Sequence, residues 1–229
     1  FDSDTSWTFG AFNRSRNFNN PFDLGWGVYN TITHAVTGDS IHIIELSDGS
    51  YRKIQMINLL GGSFNFKYAN LDGSNEETVA VAKSDFIGKN FGYYSILNKE
   101  TVDLEPPTND WDLLLTQYIS EIAPNVHHNV TGVLMNNGVE AARVVDVADV
   151  SSYNDWQSKN FSHWINTVGY DWKSLNYQTF QFEIEDSLLF FISDREGDIW
   201  RLYFTSFGGS ATGKYGFTKE KLGSTASID

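Results

Sequence analysis

Two stretches of the chain alternate polar and apolar residues between the same turn signals, and this feature constrains the fold most. In the first stretch, residues 41–46 and 51–57 flank Asp48-Gly49, and residues 63–68 follow Gly61-Gly62. Alternation with a period of two sends successive side chains to opposite faces, which is typical of a β-strand. An Asp-Gly pair between two such runs predicts a hairpin turn.

The second stretch has the same order of features at an offset of almost 150 residues. Residues 187–192 and 199–204 predict two strands joined by a turn at Gly197. The matched positions are Trp26 and Tyr29 with Trp172 and Tyr177, Asp39-Ser40 with Asp186-Ser187, Gly49 with Gly197, and Gly61-Gly62-Ser63 with Gly208-Gly209-Ser210. We therefore predict an internal repeat of a strand–hairpin–strand meander, over approximately residues 23–70 and 170–217.

A central block, residues 105–168, lies between the two repeats. Residues 110–118 and 130–135 predict strands, and Asn136-Asn137-Gly138 predicts a further hairpin turn. The aromatic spacing of residues 151–168 permits a short amphipathic helix or an aromatic loop. Residues 85–100 carry no clear pattern, and residues 1–20 and 219–229 are expected to be frayed ends.

The predicted fold class is all-β, with antiparallel sheets, hairpin meanders, two internally repeated β halves and at most one or two short helices. No Pro- or Ser-rich linker separates the halves, so residues 1–229 are predicted to form a single domain.

Composition restricts the classes of function. The net charge of −13 argues against nucleic acid as a partner, because a phosphate backbone would be repelled. The absence of cysteine excludes disulfides, thiolate zinc sites and cysteine nucleophiles. No apolar run approaches the ~20 residues that span a bilayer. Because the chain begins at Phe1, we expect a mature extracytoplasmic protein whose leader has been removed.

Motifs that would indicate an enzyme are missing from the sequence. It contains no Gly-x-Ser-x-Gly elbow, no phosphate-binding P-loop and no His-Glu-x-x-His. Asp110 and Asp112 flank Trp111, and on a strand both would point to one face, as in a glycosidase pair or a calcium site. The same pattern is typical of a turn cap or a solvated strand face. We therefore predict a binding protein rather than an enzyme.

Six side chains suggest a haem site: His127, His128, Met135, His163, Trp164 and Tyr170. His127 and His128 are neighbours, so on a strand they point to opposite faces and cannot both bind one metal ion. His163, beside Trp164 and Tyr170, is the kind of histidine that an aromatic slot for a flat porphyrin would contain.

Other readings of these residues remain open. Met135 ends a strand and is either a thioether ligand or a core residue. The alternative for His163 is a loop histidine on an aromatic patch. His34 and His42 are interpreted as cross-strand polar residues. Arg143, Lys159 and Lys173 are the cations that would reach haem propionates.

Three segments resemble the HmuY-like haem-binding lipoprotein family of Bacteroidota. They are Asn-Asp-Trp-Asp-Leu-Leu-Leu-Thr-Gln-Tyr at residues 109–118, Gly-Tyr-Asp-Trp-Lys at residues 169–173, and the hairpin at residues 187–204. The resemblance implies an all-β surface lipoprotein that captures haem and hands it to an outer-membrane receptor. It also implies two axial ligands to the iron and a lipidated cysteine that would have been trimmed from this chain.

In that family pattern His163 lies at the position of the second axial ligand. His127, His128 and Met135 lie in the stretch of the chain where the family pattern has the first axial ligand. The expected function is therefore a cell-surface or periplasmic ligand-capture protein, with haem held by His163 and His127 or His128. Two alternatives stay open: a glycan- or protein-binding module of similar fold, and a hydrolase built on Asp110 and Asp112.

Overall fold

The computed structural model describes residues 4–225, and the chain divides into two compact units. The N-terminal unit is Phe9–Thr108, and the C-terminal unit combines residues 4–8 with residues 109–225. The all-β prediction is confirmed, since helical structure in the described chain is confined to 3-10 segments and no helix reaches seven residues. Across residues 4–225, no helical segment has the length and apolarity that a membrane crossing needs.

The N-terminal unit contains a six-stranded antiparallel sheet and a small hairpin. Its strands are β1 (Gly27–Asn30), β2 (Ala35–Gly38), β3 (Ile41–Glu45), β4 (Tyr51–Leu60), β5 (Ser63–Ala69), β6 (Glu77–Ala82), β7 (Tyr93–Ser95) and β8 (Glu100–Val102). The sheet order is β1-β2-β4-β5-β6, with β3 paired to β4, and β7 pairs with β8. The segment between β6 and β7 begins with a 3-10 turn, Lys83–Phe86.

The C-terminal unit is built from one four-stranded sheet and two hairpins. Its strands are β9 (Leu113–Ala123), β10 (Val126–Met135), β11 (Glu140–Val144), β12 (Lys173–Asn176), β13 (Gln181–Ile184), β14 (Leu189–Ser193), β15 (Asp198–Phe207) and β16 (Tyr215–Ser224). The sheet order is β11-β14-β15-β16, while β9 pairs with β10 and β12 pairs with β13.

The two stretches matched in the sequence contain corresponding strands, β1–β5 and β12–β16. Each begins at a tryptophan whose carbonyl closes the first hairpin: Trp26 O accepts from the Asp39 N–H at 3.2 Å, and Trp172 O from the Glu185 N–H at 3.0 Å. The register shows that Leu175, rather than Tyr177, is the counterpart of Tyr29. Leu175 lies three residues after Trp172 on β12, as Tyr29 lies three residues after Trp26 on β1, whereas Tyr177 lies in the turn between β12 and β13.

The second hairpin of each stretch has the same turn. The Leu46 N–H donates to Ser50 O at 2.8 Å, and the Asp194 N–H donates to Asp198 O at 3.0 Å. Gly49 and Gly197 occupy the same position in these turns, with φ of 80° and 82°. The following strand is bulged at the same place, after Met56 in β4 and after Phe204 in β15. The shared hairpins, turns and bulge are what an internal repeat predicts. The two stretches differ in that β2 also pairs with β4, whereas β12 and β13 form a separate two-stranded sheet.

The C-terminal unit has a closed apolar core. The indole of Trp172 stacks on Phe204 with 3.7 Å between ring centroids, and both rings are buried. Residues 189–192 of β14 are buried on both faces of the sheet, because a second cluster around Val147 and Tyr153 covers the side opposite Trp172. Residues 151–168 contain no helix, so of the two alternatives left open by the sequence they form the aromatic loop.

The limits of several predicted elements differ from the structure. β9 begins at Leu113, so Asp110 lies in a 3-10 turn and the two aspartates do not share a strand face. β16 continues to Ser224, so residues 219–224 are not frayed, because they pair along β15. Near the other end, the Trp7 indole N–H donates to Met135 O at 2.7 Å and ties residues 4–8 to the C-terminal unit. The predictions for residues 1–3 and 226–229 lie outside the described residues.

Candidate functional site

The six residues predicted to form a haem site lie in three different settings. His127 and His128 are exposed near the turn of the β9–β10 hairpin. Met135 is 0% exposed in the core around Trp172. It is therefore the core residue that the sequence offered as the alternative to a thioether ligand. His163 and Trp164 are exposed on a loop, and Tyr170 is half-buried in a separate polar crevice.

The predicted axial pair of His163 with His127 or His128 is not formed. His128 precedes Met135 by seven residues of β10, which corresponds to roughly 23 Å at about 3.3 Å per residue. The Met135 N–H donates to Ile165 O at 2.7 Å, and Gly169 pairs with β10 nearer to His128. His163 therefore lies beyond the Met135 end of the strand, whereas two axial donors must come within about 4 Å of each other.

The cations considered for haem propionates already have partners. Arg143 pairs with Asp171 at 2.6 Å, and Lys159 pairs with Asp155 at 3.4 Å. The Lys173 ammonium donates to two backbone carbonyls and lies 4.1 Å from the centroid of the Trp172 indole. In addition, no group of three or more His, Asp or Glu side chains within residues 4–225 could hold a metal ion. These residues do not fit a haem, and we assign it no site here.

Tyr170 lines a polar crevice of about 420 Å³ in the C-terminal unit. Its other walls include Tyr118, Glu121, Arg143 and Asp171. Burial, with the nearby Asp4 carboxylate, raises the pKa of Tyr118, so this hydroxyl stays neutral. Because Arg143 pairs with Asp171, the crevice does not present a free cation to an anionic ligand.

The two aspartates of the hydrolase hypothesis are also set apart from each other. Asp110 is exposed in its 3-10 turn, whereas Asp112 lies outside that turn. Burial and the neighbouring Asp194 and Glu196 carboxylates raise the pKa of Asp112. The carboxylates that raise the pKa of Asp112 therefore belong to the β14–β15 turn, and the effect is not attributed to Asp110.

The N-terminal unit contains a pocket of about 770 Å³ with an apolar lining. Its floor is one face of the sheet, formed by side chains from β3, β4, β5 and β6: Ile44, Ile54, Met56, Phe64, Phe66 and Val81. Phe12 adds a further apolar side chain. In this unit the apolar face of the sheet is only partly covered, since Phe12, Ile44, Met56 and Phe64 are half-buried.

The opposite wall is the connection between β6 and β7 together with the start of β7. Its lining residues are Lys83, Phe86, Lys89, Asn90, Phe91, Gly92, Tyr93, Tyr94 and Ile96. The Tyr94 ring meets Phe66 of the floor edge-on, with 5.3 Å between centroids. This contact joins the wall to the sheet at one end of the pocket.

Glu105 holds this wall in place. Its carboxylate, in a residue only 7% exposed, accepts from the backbone N–H groups of Asn90 at 2.8 Å and Phe91 at 3.1 Å. The Tyr93 hydroxyl adds a longer bond at 3.4 Å. A buried carboxylate with several donors is strongly held, because its charge is compensated by hydrogen bonds instead of water.

Two more contacts join the pocket wall to the segment at residues 103–108. Lys89 pairs with Asp103, and the Thr108 N–H donates to Gly88 O at 2.7 Å. Gly88 has a φ of 79°, a backbone conformation that glycine adopts without strain. Residues 103–108 therefore brace the pocket wall from outside.

The polar side chains of the pocket are two lysines, two tyrosines and Asn90. Its lining includes Lys83 and Lys89 but no carboxylate, in a chain with 29 acidic and 16 basic residues. Burial, followed by the neighbouring Tyr68, raises the pKa of Tyr94 to about 12, and burial with the Glu105 charge raises that of Tyr93. Both tyrosines are therefore neutral hydrogen-bonding groups at ordinary pH.

Sequence reasoning missed this pocket. Residues 85–100 showed no alternation, because most of this wall is irregular backbone held by Glu105 and not by a strand ladder. The available signal was a set of four aromatic residues close to two lysines, Lys83 and Lys89, in a segment without a strand pattern: Phe86, Phe91, Tyr93 and Tyr94. His42, interpreted as a cross-strand residue, does lie on β3 near the pocket, and burial lowers its pKa. His34 instead lies in the β1–β2 turn, with a φ of 53°.

Comparison of the chain with protein-family models, with curated proteins and with solved structures finds no match in any of the three.

Proposed function

We propose that this chain is a ligand-capture protein whose N-terminal unit binds a largely apolar small molecule. The observation that carries the proposal is the pocket of about 770 Å³ between the half-covered sheet face and the Glu105-braced wall. Small-molecule sites are typically clefts of about 300–1,000 Å³, lined mainly by apolar and aromatic side chains with a few polar groups. The pocket matches that description in size and in lining.

The state of the apolar core in this unit supports the same proposal. Ile54, Phe66 and Val81 are buried, but the side chains around them are only partly covered. Leaving apolar surface in contact with water costs free energy at about 25 cal/mol per Å². A ligand that fills the pocket removes that surface from water and completes the core.

Capture outside the cytoplasm is part of this proposal and rests on the sequence. The acidic, cysteine-free composition and the resemblance to surface lipoproteins are its support. The apolar pocket, and not a haem site, is the proposed ligand site, because His163 lies beyond the end of β10 that is opposite to His127 and His128.

Binding of a neutral apolar fluorophore tests the proposal. N-phenylnaphthylamine becomes fluorescent when it leaves water, and the proposed pocket gives saturable binding to the whole chain. Ile44→Trp adds volume inside the pocket, so it is expected to weaken that binding at least tenfold. Ile43→Trp is the matched control, since Ile43 is the neighbouring residue on β3, is 63% exposed and does not line the pocket.

Displacement of this fluorophore by straight-chain alcohols measures how much of the alcohol's hydrocarbon chain the pocket buries. Each buried CH₂ contributes about 0.8 kcal/mol, so dodecanol is expected to bind roughly fifteen-fold more tightly than decanol. The absence of saturable fluorophore binding, or equal weakening by Ile44→Trp and Ile43→Trp, contradicts the proposal.

A further inference from the structure

We propose that the ligand of this pocket is a long-chain carboxylate and that Lys83 recognises its anionic group. This inference rests on the proposed function, since it names the chemical class of the molecule that the apolar pocket binds. Its starting point is the charge of the lining, which contains two lysines and no carboxylate although the chain as a whole carries a net charge of −13.

The two lysines are not equivalent. Lys89 has a side chain only 17% exposed and pairs with Asp103, so its charge is already compensated. Lys83 has no ion pair or hydrogen bond from its ammonium group to any of residues 4–225, and it lies at the exposed edge of the pocket. Lys83 is therefore the cation that a ligand can neutralise.

The position of Lys83 is set by the sheet. Its backbone N–H donates to Gly62 O at 2.9 Å, which extends the pairing of β5 and β6 by one residue. Its ammonium nitrogen lies 5.4 Å from the ring centroid of Phe64, and Phe64 belongs to the pocket floor. The cation therefore lies over the edge of the apolar floor.

The nearby carboxylates do not cancel this charge. Asp103 is taken by Lys89, and Glu105 is enclosed by the Asn90 and Phe91 N–H groups of the wall. Asp85 is exposed and accepts from the Ser84 hydroxyl at 3.3 Å.

One uncompensated cation at the edge of an apolar cavity fits a molecule with one anionic head and a hydrocarbon tail. The tail lies over Ile54, Phe66 and Val81, and the carboxylate meets Lys83 at the opening. An exposed ion pair of this kind adds modest affinity but discriminates between head groups, because a cationic head is repelled at the same place.

The test compares three dodecyl compounds with the same tail: dodecanoate, dodecanol and dodecyltrimethylammonium. Each displaces N-phenylnaphthylamine from the whole protein, below micelle-forming concentrations, in the original chain, Lys83→Met and Lys83→Glu. Lys83→Met is expected to weaken dodecanoate binding roughly three- to five-fold and to leave dodecanol within twofold. Lys83→Glu is expected to weaken dodecanoate further and to strengthen dodecyltrimethylammonium.

Two controls separate a specific contact from general charge effects. Lys99→Met removes a lysine of the same unit that pairs with Glu77 and does not line the pocket, so it should change none of the three affinities. High salt should reduce the difference between dodecanoate and dodecanol in the original chain, because an exposed ion pair is screened.

The outcomes distinguish this inference from the proposed function. If neither the fluorophore nor any dodecyl compound binds the original chain, the proposed function fails. If dodecanol and dodecanoate bind but respond equally to Lys83→Met, the pocket stands and the carboxylate inference is overturned. A loss of dodecanoate binding with Lys89→Met, but not with Lys83→Met, also overturns the assignment to Lys83.

Discussion

At the scale of single residues, Glu105 has the clearest structural role at the candidate site. Glu105→Ala removes the carboxylate that accepts from the Asn90 and Phe91 N–H groups in a partly buried wall. Leaving buried donors unpaired costs about 1–3 kcal/mol, so the free energy of unfolding is expected to fall by about 2 kcal/mol. Urea denaturation measures this loss, and fluorophore binding should weaken with it.

Glu100→Ala is the matched control for Glu105→Ala. Glu100 lies on the neighbouring strand β8 and is exposed, so its replacement should change stability by no more than about 0.5 kcal/mol. Equal effects of the two substitutions would show that Glu105 does not hold the wall.

The roles of single residues were the least predictable part of this protein. His163, Trp164 and Met135 were singled out because of their residue types, yet two are exposed on a loop and one is enclosed in the core. Lys83 belongs to no motif, and only its distance from Phe64 and its lack of an ionic partner within residues 4–225 distinguish it. Residue type alone does not determine which groups become neighbours.

At the scale of elements, the turn glycines of the two β-hairpins allow a direct comparison. Gly49 and Gly197 both have positive φ, and a Cβ added to Gly49 would meet no atom within 4 Å. In Gly49→Ala the new methyl group therefore meets no steric clash, and only the left-handed backbone conformation disfavours alanine. The free energy of unfolding is expected to fall by about 1–2 kcal/mol. Gly197→Ala should cost a similar amount, as measured by urea denaturation.

Asparagine tolerates this conformation better than alanine, so Gly49→Asn should recover part of the stability lost in Gly49→Ala. Equal losses for alanine and asparagine would show that backbone conformation is not the reason for glycine at this position.

Elements with a strong local pattern were predicted well. β3, β4, β14 and β15 lie where alternation and turn residues placed them, because hairpin chemistry is encoded within a few residues. The start of β9 was predicted too early, because Asp110 and Trp111 fit a strand pattern but lie before the first ladder pair at Leu113. Pairing with a partner strand decided that boundary.

At the scale of the whole molecule, two tryptophans contrast a core position with a surface position. Trp172 is 1% exposed and stacks on Phe204, while Trp164 is 59% exposed. Trp172→Ala is expected to lower the free energy of unfolding by about 3–5 kcal/mol, because it leaves a large cavity in the core. Trp164→Ala should change it by no more than about 0.5 kcal/mol.

Urea denaturation followed by circular dichroism measures both substitutions. A large loss for Trp164→Ala would mean that the Trp164 side chain itself contributes to the core, contrary to its exposure.

The sequence by itself determined the all-β class, the hairpins and the match between residues 23–70 and 170–217. These features depend on side-chain alternation and turn chemistry, which act between residues close in the chain. Tertiary structure alone decided that the core around Trp172 is closed while the sheet face around Phe66 stays partly open. Burial depends on which distant segments cover a surface, and here a buried glutamate holds an irregular wall over that face. For that reason the histidines predicted as one site lie far apart, and the pocket formed where no motif indicated it.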